Sequence, residues 1–130
     1  MGDRGNIVIR QGTTNADDVW FYTHWSGSEI GEVVKTALAR KQRWTDDCYL
    51  ARIVFCQLVK GIEDEEAGCG ISTSMQDNEH PILVVDVPKQ CVYYVDEHEC
   101  KTGRLPDTIQ VLAHAVSFAA FINAETVTKP

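Results

Sequence analysis

The chain has 130 residues, of which 44% are hydrophobic and 24% charged, so it has the size and composition of one globular domain, residues 1–130. Its formal net charge of −7 argues against a protein that binds nucleic acid directly, which needs a surplus of lysine and arginine, and against one that docks on anionic membranes. No apolar segment has the length of a signal-peptide core or a membrane span, and the five cysteines are an odd number, so we expect a cytoplasmic protein with reduced thiols.

The first predicted elements are two strands that form an antiparallel hairpin. Residues 6–10 (NIVIR) and 19–25 (VWFYTHW) are rich in β-branched and aromatic side chains, and QGTTNADD between them is typical of a turn. Alternation puts Trp20, Tyr22 and His24 on one face of the second strand and its other side chains on the opposite face. An exposed edge of this hairpin could pair with a second copy of the chain, so we expect that a homodimer can form.

Two helices are predicted after the hairpin. On the first, apolar residues at helical spacing form one face: Ile30, Val33, Val34, Ala37 and Leu38. Thr45 is the predicted N-cap of the second, with Asp46 and Asp47 at the positive end of the helix dipole. Residues 49–59 are apolar on nearly every side of this helix, so we expect it to be buried, with Gly61 as its C-cap.

An acidic loop, residues 62–68, leads into the remaining strands. The segments GISTSM, PILVVDV and CVYYVD are the third, fourth and fifth predicted strands. The tail, residues 109–125, is either one helix or a strand over 111–116 followed by a helix with Ser117 as N-cap, and the fall in β-branched content favours the second form. The order ββ-αα-βββ plus a short C-terminal helix predicts an α+β fold, a mostly antiparallel sheet of about five strands with two helices packed on one face.

This topology predicts polar clusters at two opposite ends of the molecule. The first helix spans about 18 Å, so RWTDD lies far from HWSG, and the second helix returns the acidic loop to HWSG. A first ligand or partner site is therefore expected to contain His24, Trp25, Glu63, Asp64, Glu65 and Glu66. The third strand would carry DNEHP to the RWTDD end, and the second site would contain Arg43, Trp44, Asp46, Asp47, Asp77, Asn78, Glu79 and His80.

Each of these motifs also has a purely structural interpretation. The aromatic run over residues 20–25 is typical of a packed strand. Asp46 and Asp47 are separated by about 100° around a helix, which favours capping over metal binding. The oxygen and imidazole groups of DNEHP could hold a divalent cation, but no metal-binding, phosphate-binding or catalytic motif is present. We therefore expect no cofactor, no metal and no identifiable catalytic residue.

Four segments resemble a family of small proteins from phages and bacteria: MGDRGNIVI, FYTHWSG, ALARKQRWTDDCYLARIVF and GISTSMQDNEHPILVVD. That family typically has HWGG where this chain has HWSG, and the resemblance covers most of residues 1–87. It implies a one-domain cytosolic protein encoded by a phage or a mobile element, and it implies no activity for any particular residue. Small acidic phage proteins often act by binding host machinery, including defence complexes, as anti-CRISPR proteins do.

Three functional hypotheses follow. The first is a non-enzymatic interaction protein that inhibits a host defence protein by binding its basic surface with the acidic loops. The second is a small-molecule binder that sequesters a nucleotide or nucleotide-derived signal beside His24 or Arg43. The third is a small hydrolase that uses His24 or His80. The net charge, the missing catalytic motifs and the resemblance favour the first, so we expect a protein that is not an enzyme.

Overall fold

Six strands form one mixed sheet, and three α-helices accompany it, in the part of the chain that the computed structural model describes, residues 2–109 and 114–123. The strands are β1 (Gly5–Arg10), β2 (Val19–Thr23), β3 (Cys69–Ser72), β4 (Ile82–Asp86), β5 (Cys91–Val95) and β6 (Val116–Ser117). The helices are α1 (Ile30–Ala39), α2 (Asp47–Leu58) and α3 (Phe118–Asn123). The predicted α+β fold is confirmed, and the two-residue β6 adds a sixth strand to the expected five.

The strand order is β3-β2-β1-β4-β5-β6, so the N-terminal hairpin lies inside the sheet. β1 and β2 pair antiparallel as predicted, but β3 covers the outer edge of β2 and β4 covers the other edge of β1. The hairpin therefore has no exposed edge, which corrects the basis of the expected homodimer, and the homodimer itself stays a prediction. The edges of the described sheet belong to β3 and β6.

The pairing of β1 with β4 is parallel, with Ile7 opposite Leu83, and it requires a crossover. β3 ends opposite Trp20, level with Val8, whereas β4 begins one residue before the Ile7–Leu83 pair, so residues 73–81 run back toward the end of the sheet where β1 begins. They do so on the face away from the helices, where the Asn6 side-chain amide donates a hydrogen bond to the Gln76 carbonyl at 3.2 Å. The crossover is thus part of the packed structure rather than a local turn.

Each face of the sheet carries its own hydrophobic cluster. The helices cover the first face, where the buried side chains include Ile7, Ile9, Phe21, Val34, Leu38, Leu50, Val54, Leu83, Val85 and Phe118. The crossover and the loop after β5 cover the second face, whose buried side chains are Val8, Trp20, Ile82, Val84, Tyr93, Val95 and Leu105. Because both faces are covered, every residue of β1 and β4 is buried, which explains their nearly continuous apolar sequences.

Helix α2 differs from its prediction in three respects, the first being its C-cap, which is Val59 rather than Gly61. Its N-cap is Asp46 rather than Thr45, because the Asp46 carboxylate accepts a hydrogen bond from the Tyr49 backbone N–H at 3.3 Å. The helix is also not buried on all sides: Tyr49 is 51% exposed and Cys56 is exposed. The sheet and α1 cover one side of α2 through Leu50, Ile53, Val54 and Leu58, and solvent covers the other.

The C-terminal tail takes the second of its two predicted forms wherever it is described. β6 pairs with β5, and the Ser117 hydroxyl accepts a hydrogen bond from the Ala120 N–H at 3.1 Å at the start of α3. Residues 110–113, which include part of the predicted strand, lie outside the described residues. The five cysteines are free thiols, in agreement with the expected reduced state.

A buried ion pair fixes the carboxyl end of β1. The Arg10 guanidinium donates to both carboxylate oxygens of Asp18, at 3.1 and 2.8 Å, and the two side chains are only 4% and 1% exposed. The same guanidinium donates to the carbonyls of Pro106 and Asp107, at 3.0 and 3.1 Å. Arg10 therefore ties the loop after β5 across the second face of the sheet.

Replacing Asp18 by alanine should lower the free energy of unfolding by about 3–5 kcal/mol, because Arg10 would stay buried without its counterion. The exposed neighbour Asp17→Ala is the matched control and should change it by less than about 0.5 kcal/mol. Urea denaturation followed by circular dichroism measures both values. Equal losses in the two variants would contradict a structural role for the pair.

Candidate functional site

Three segments of the chain meet at the end of the sheet where β1 begins. They are residues 2–6, 24–28 and 77–81, and we call this region the HWSG corner. Three backbone hydrogen bonds join them: Asp3 N–H to the His24 carbonyl at 2.7 Å, Gly27 N–H to the Asp3 carbonyl at 2.7 Å, and Glu79 N–H to the Arg4 carbonyl at 2.9 Å. MGDRGNI, HWSG and DNEHP, distant in sequence, therefore form one structural unit.

The prediction that DNEHP lies beside RWTDD is wrong. The residues concerned are Asp77, Asn78, Glu79 and His80. They follow the crossover back to the start of β4, which lies beside the start of β1 because the two strands are parallel. Arg43 and Trp44 lie at the other end of the sheet, where the Gln90 side-chain amide in the turn after β4 donates to the Trp44 carbonyl at 2.7 Å.

The polar side chains of DNEHP have partners within the HWSG corner. The Asn78 side-chain oxygen accepts from the Asn6 amide at 3.1 Å, and the Glu79 carboxylate accepts from the Arg4 backbone N–H at 2.9 Å. Asp77 forms an exposed ion pair with the Arg4 guanidinium at 4.0 Å. Asn78 and Glu79 therefore attach the crossover to β1, and we assign the motif this structural role.

The Asp3 carboxylate lies between Ser28 and His80. One of its oxygens accepts from the Ser28 hydroxyl at 2.6 Å and from the Ser28 backbone N–H at 3.0 Å, and the other lies 2.5 Å from Nε2 of His80. Hydrogen bonds from Ser28 and His80 lower the pKa of Asp3 to about 2. The serine hydroxyl donates to the carboxylate and not to the imidazole, so the three groups do not form the nucleophile–base relay of a hydrolase.

Close backbone contact at the HWSG corner depends on Gly27. A Cβ atom at this position would lie 2.7 Å from the carbonyl carbon of Arg4 and 2.7 Å from Cδ2 of His80. A Cβ atom at Gly5 would lie 2.9 Å from the Cα of Gly27. Gly27, the glycine of HWSG, is therefore required by the close packing of its backbone against Arg4, Gly5 and His80.

Trp25 and the acidic loop meet beside β3, and we call Trp25, residues 62–68 and β3 the acidic corner. The Trp25 ring lies directly against Gly68, which ends the loop, yet it remains 54% exposed. Ile71 of β3 is 59% exposed. The four acidic residues of the loop, Glu63, Asp64, Glu65 and Glu66, are all exposed.

His24 contributes to the acidic corner through its backbone rather than its ring. Its N–H donates to the Gly68 carbonyl at 2.7 Å, which holds the end of the loop against β2. Its imidazole packs edge-on against the Tyr22 ring, with 5.9 Å between the ring centres. Trp25 and the acidic loop therefore form one surface, and His24 has a structural role because its backbone holds the end of the loop.

The two residues predicted to anchor the second site lie in different environments. The Trp44 indole N–H donates to the Leu38 carbonyl at 3.1 Å, and its ring packs edge-on against Phe118 at 5.5 Å, so Trp44 anchors the turn between the helices. Arg43 is exposed, and its guanidinium lies 4.9 Å from the centre of the Tyr49 ring. Arg43 is therefore available to a ligand, whereas Trp44 is part of the core.

Asp46, Asp47 and Cys48 have potential ligand atoms within 4.8 Å of one another. The expectation that the two carboxylates diverge is wrong, because Asp46 is the N-cap, with φ −110° and ψ 97°, and does not follow helical spacing. A hydrogen bond with Asp47 and its negative charge raise the pKa of the Cys48 thiol, which disfavours the thiolate that binds metals. Since Asp46 also caps Tyr49 and lies 3.9 Å from Arg43, we interpret the group as a helix cap.

A small cavity at the carboxyl ends of β1 and β4 is one feature that the sequence prediction missed. It measures about 220 Å³, and Arg10, Asp86 and Tyr93 are among its lining residues. The Tyr93 hydroxyl donates to the Asp86 carboxylate at 2.7 Å, and burial together with this hydrogen bond raises the pKa of Tyr93. Arg10, Asp86 and Tyr93 already have hydrogen-bond partners within the protein, so we assign the cavity a structural role.

A basic groove on the outer side of α1 and α2 was also missed. It consists of two adjoining cavities of about 490 and 550 Å³ that share Arg40. One end is lined by Arg40, Gln42, Arg43, Tyr49 and Arg52, and the other by Cys56, Gln57 and Lys60. The signal was present in the sequence, since residues 35–60 hold six of the 12 lysines and arginines but two of the 19 acidic residues.

No helix among the described residues is long and apolar enough to cross a membrane. No protein-family model matches the chain, and no curated protein or solved structure is significantly similar to it.

Gly27→Ala should lower the free energy of unfolding by about 1–3 kcal/mol, because the added methyl group forces the Arg4 backbone and His80 apart. Gly12→Ala is the matched control, since a Cβ atom there has no neighbour within 4 Å. Thermal unfolding of both variants tests this packing. If Gly27→Ala is as stable as Gly12→Ala, the HWSG corner is not tightly packed.

The Asp3 carboxylate should make a pH-dependent contribution to stability. Its folded-state pKa of about 2 lies below the ordinary value of 3.8, so the contribution is complete above pH 3.8 and is lost as the pH falls through 2. The stability gap between the wild type and Asp3→Asn should therefore narrow over this range, as measured by urea denaturation at each pH. A gap that is constant from pH 5 to pH 2 would contradict the assignment, and Asp64→Asn controls for loss of charge alone.

Proposed function

We propose that the protein is a non-enzymatic interaction protein whose acidic corner binds a partner protein with a basic surface. The observation that carries this proposal is the exposure of Trp25 and Ile71, 54% and 59%, at the end of a loop that carries four exposed acidic residues, where the Trp25 ring contacts Gly68. Stable interfaces typically have an aromatic or aliphatic anchor at their centre and a polar rim around it. The acidic corner has this composition.

The backbone of β3 supports the same proposal. β3 pairs with β2 on one side and is the last strand of the sheet that the described residues form, so its other side offers N–H and C=O groups to an added strand. Trp25 and Ile71 would supply apolar contacts to that strand. The acidic loop would select a strand or surface that carries lysine and arginine, and would speed its association.

The resemblance to phage and bacterial proteins favours a host protein as the partner. Inhibition of a host defence protein is the consequence that we propose, because occupying a basic surface would exclude the nucleic acid that such a surface usually binds. Within this proposal the Asp3–Ser28–His80 group acts only to hold the HWSG corner, and the protein acts in the cytoplasm.

Trp25→Ala should weaken partner binding by about 30-fold or more, as loss of a central aromatic anchor does. Tyr49→Ala removes an aromatic side chain of similar exposure, 51%, at the start of α2, and it is the matched control when the lysate is first treated with nuclease, so that capture cannot depend on nucleic acid. Tagged wild type and both variants are used to capture proteins from a bacterial lysate, and the retained proteins are quantified by mass spectrometry. A basic protein that is retained by wild type and Tyr49→Ala but lost with Trp25→Ala supports the proposal.

Neutralising the loop by changing Glu63, Glu65 and Glu66 to glutamine and Asp64 to asparagine should slow association with the captured protein and reduce its salt dependence. Surface plasmon resonance at several salt concentrations measures both effects. Identical capture by wild type and Trp25→Ala, or association that is insensitive to salt, would contradict the proposal.

A further inference from the structure

We propose that the basic groove along α1 and α2 binds single-stranded nucleic acid, a function separate from that of the acidic corner. The net charge of −7 argued against such a ligand, but it averages over a strongly segregated surface. Residues 35–60 contain six cations and two acids, whereas the rest of the chain contains six cations and 17 acids. Local charge, not net charge, determines whether phosphates are attracted.

The groove arranges its cations along a line. Arg43 lies at the turn before α2, Arg52 lies midway along the helix, and Lys60 lies just beyond its end. From Tyr49 to Gln57 the helix rises about 12 Å, which is too long for a single phosphate group and suits a chain of phosphates. A polyanion with several phosphates is therefore the ligand that fits.

Tyr49 supplies the feature that distinguishes a nucleic-acid strand from other polyanions. Its ring is half exposed at one end of the groove, and the Arg43 guanidinium lies 4.9 Å from the ring centre. Exposed aromatic rings stack on unpaired bases while neighbouring arginines bind the backbone, which is the usual arrangement in single-strand binding. The bases of a duplex are already stacked and would not be available to Tyr49.

The backbone of the turn adds an independent argument. Lys41 and Arg43 have φ values of 56° and 57°, a left-handed conformation that is unfavourable for side chains other than glycine. The turn keeps two cations in positions where glycine would be more stable. Strain of this kind is commonly retained where the side chain has a function.

Three acidic groups lie near these cations, one of which is Asp47, with a carboxylate oxygen within 4.8 Å of one of Asp46. The Asp46 carboxylate is 3.9 Å from the Arg43 guanidinium in an exposed pair, and Glu63 lines the groove beyond Lys60. An exposed pair at this distance is weak and exchanges readily for a phosphate. Glu63 marks the point where the basic groove meets the acidic corner, so we expect the strand to end there.

The test is fluorescence anisotropy of the full-length protein with a labelled oligothymidylate of about ten nucleotides at about 50 mM salt. Three or four phosphate contacts predict that log K falls with log salt with a slope of about −2 to −3. Arg43→Ala and Arg52→Ala should each reduce the slope by about 0.7. Lys101→Ala removes an exposed cation outside the groove, so it should leave the slope of log K against log salt unchanged.

Tyr49→Ala should weaken binding by about 5- to 150-fold with an unchanged slope, and Tyr49→Phe should retain the affinity, because the ring and not the hydroxyl stacks on the base. Arg43→Gly relieves the strained backbone, so its melting temperature should not fall although its affinity does. Lys41→Gly is the control for Arg43→Gly, because it relieves backbone strain at a nearby position of the same turn and leaves the Arg43 side chain in place.

Several outcomes would overturn the proposal: no binding at about 50 mM salt, equal effects of Lys101→Ala and Arg52→Ala on the slope, or no effect of Tyr49→Ala. A mononucleotide that binds as tightly as the oligonucleotide would overturn the assignment of a strand. Anionic phospholipid vesicles that bind more tightly than the oligonucleotide would show a membrane surface instead.

Discussion

The parallel pairing of β1 with β4 is the constraint on which the rest of the molecule depends. A parallel neighbour must begin at the same end of the sheet as β1, so the chain returns across the sheet between β3 and β4. This return covers the second face, buries both central strands completely and delivers DNEHP to the start of β1. Buried polar groups at the two ends of β1, Asn6 and Arg10, are satisfied by the crossover and by the loop after β5, respectively. The loops of the second face are therefore part of the core, and the HWSG corner is one consequence of the strand order.

Local sequence patterns correctly predicted those structural features that depend only on residues close together in the chain. The alternation of residues along β2 correctly placed Trp20 and Phe21 on opposite faces of the sheet, and helical spacing identified the buried face of α1. The direction of β4 depends on a partner more than 70 residues away, so no local pattern could reveal it. A partial signal was present, because PILVVDV and NIVIR are continuous apolar segments of the kind found in strands that are covered on both faces.

Asp46 was misjudged for a different reason: a residue one position outside the helix does not obey helical spacing. The candidate surfaces were predictable only in part, since the acidic loop is a sequence feature but the basic groove needs α1 and α2 side by side.

Charge segregation links the structure to the proposed functions. The acidic corner and the basic groove each contain a half-exposed aromatic side chain, Trp25 and Tyr49, in a segment where charges of one sign predominate. They meet at the end of α2, where Lys60 and Glu63 line the same cavity. A molecule of this kind can hold a basic protein surface and a single strand at neighbouring positions. A protein that works on nucleic acid offers both ligands: its basic surface would bind the acidic corner, and the single strand that this surface then releases would bind the basic groove.

Amide chemical-shift mapping of the ¹⁵N-labelled protein tests the two binding surfaces most directly, in separate titrations with a lysine-rich peptide and with an oligothymidylate. Two segregated surfaces predict two sets of perturbed residues that do not overlap beyond the end of α2. The peptide should perturb Trp25 and residues 62–71, and the oligonucleotide should perturb residues 40–57. Perturbation of one common set by both ligands, or of neither surface, would contradict the claim that segregated charge gives this protein two binding surfaces.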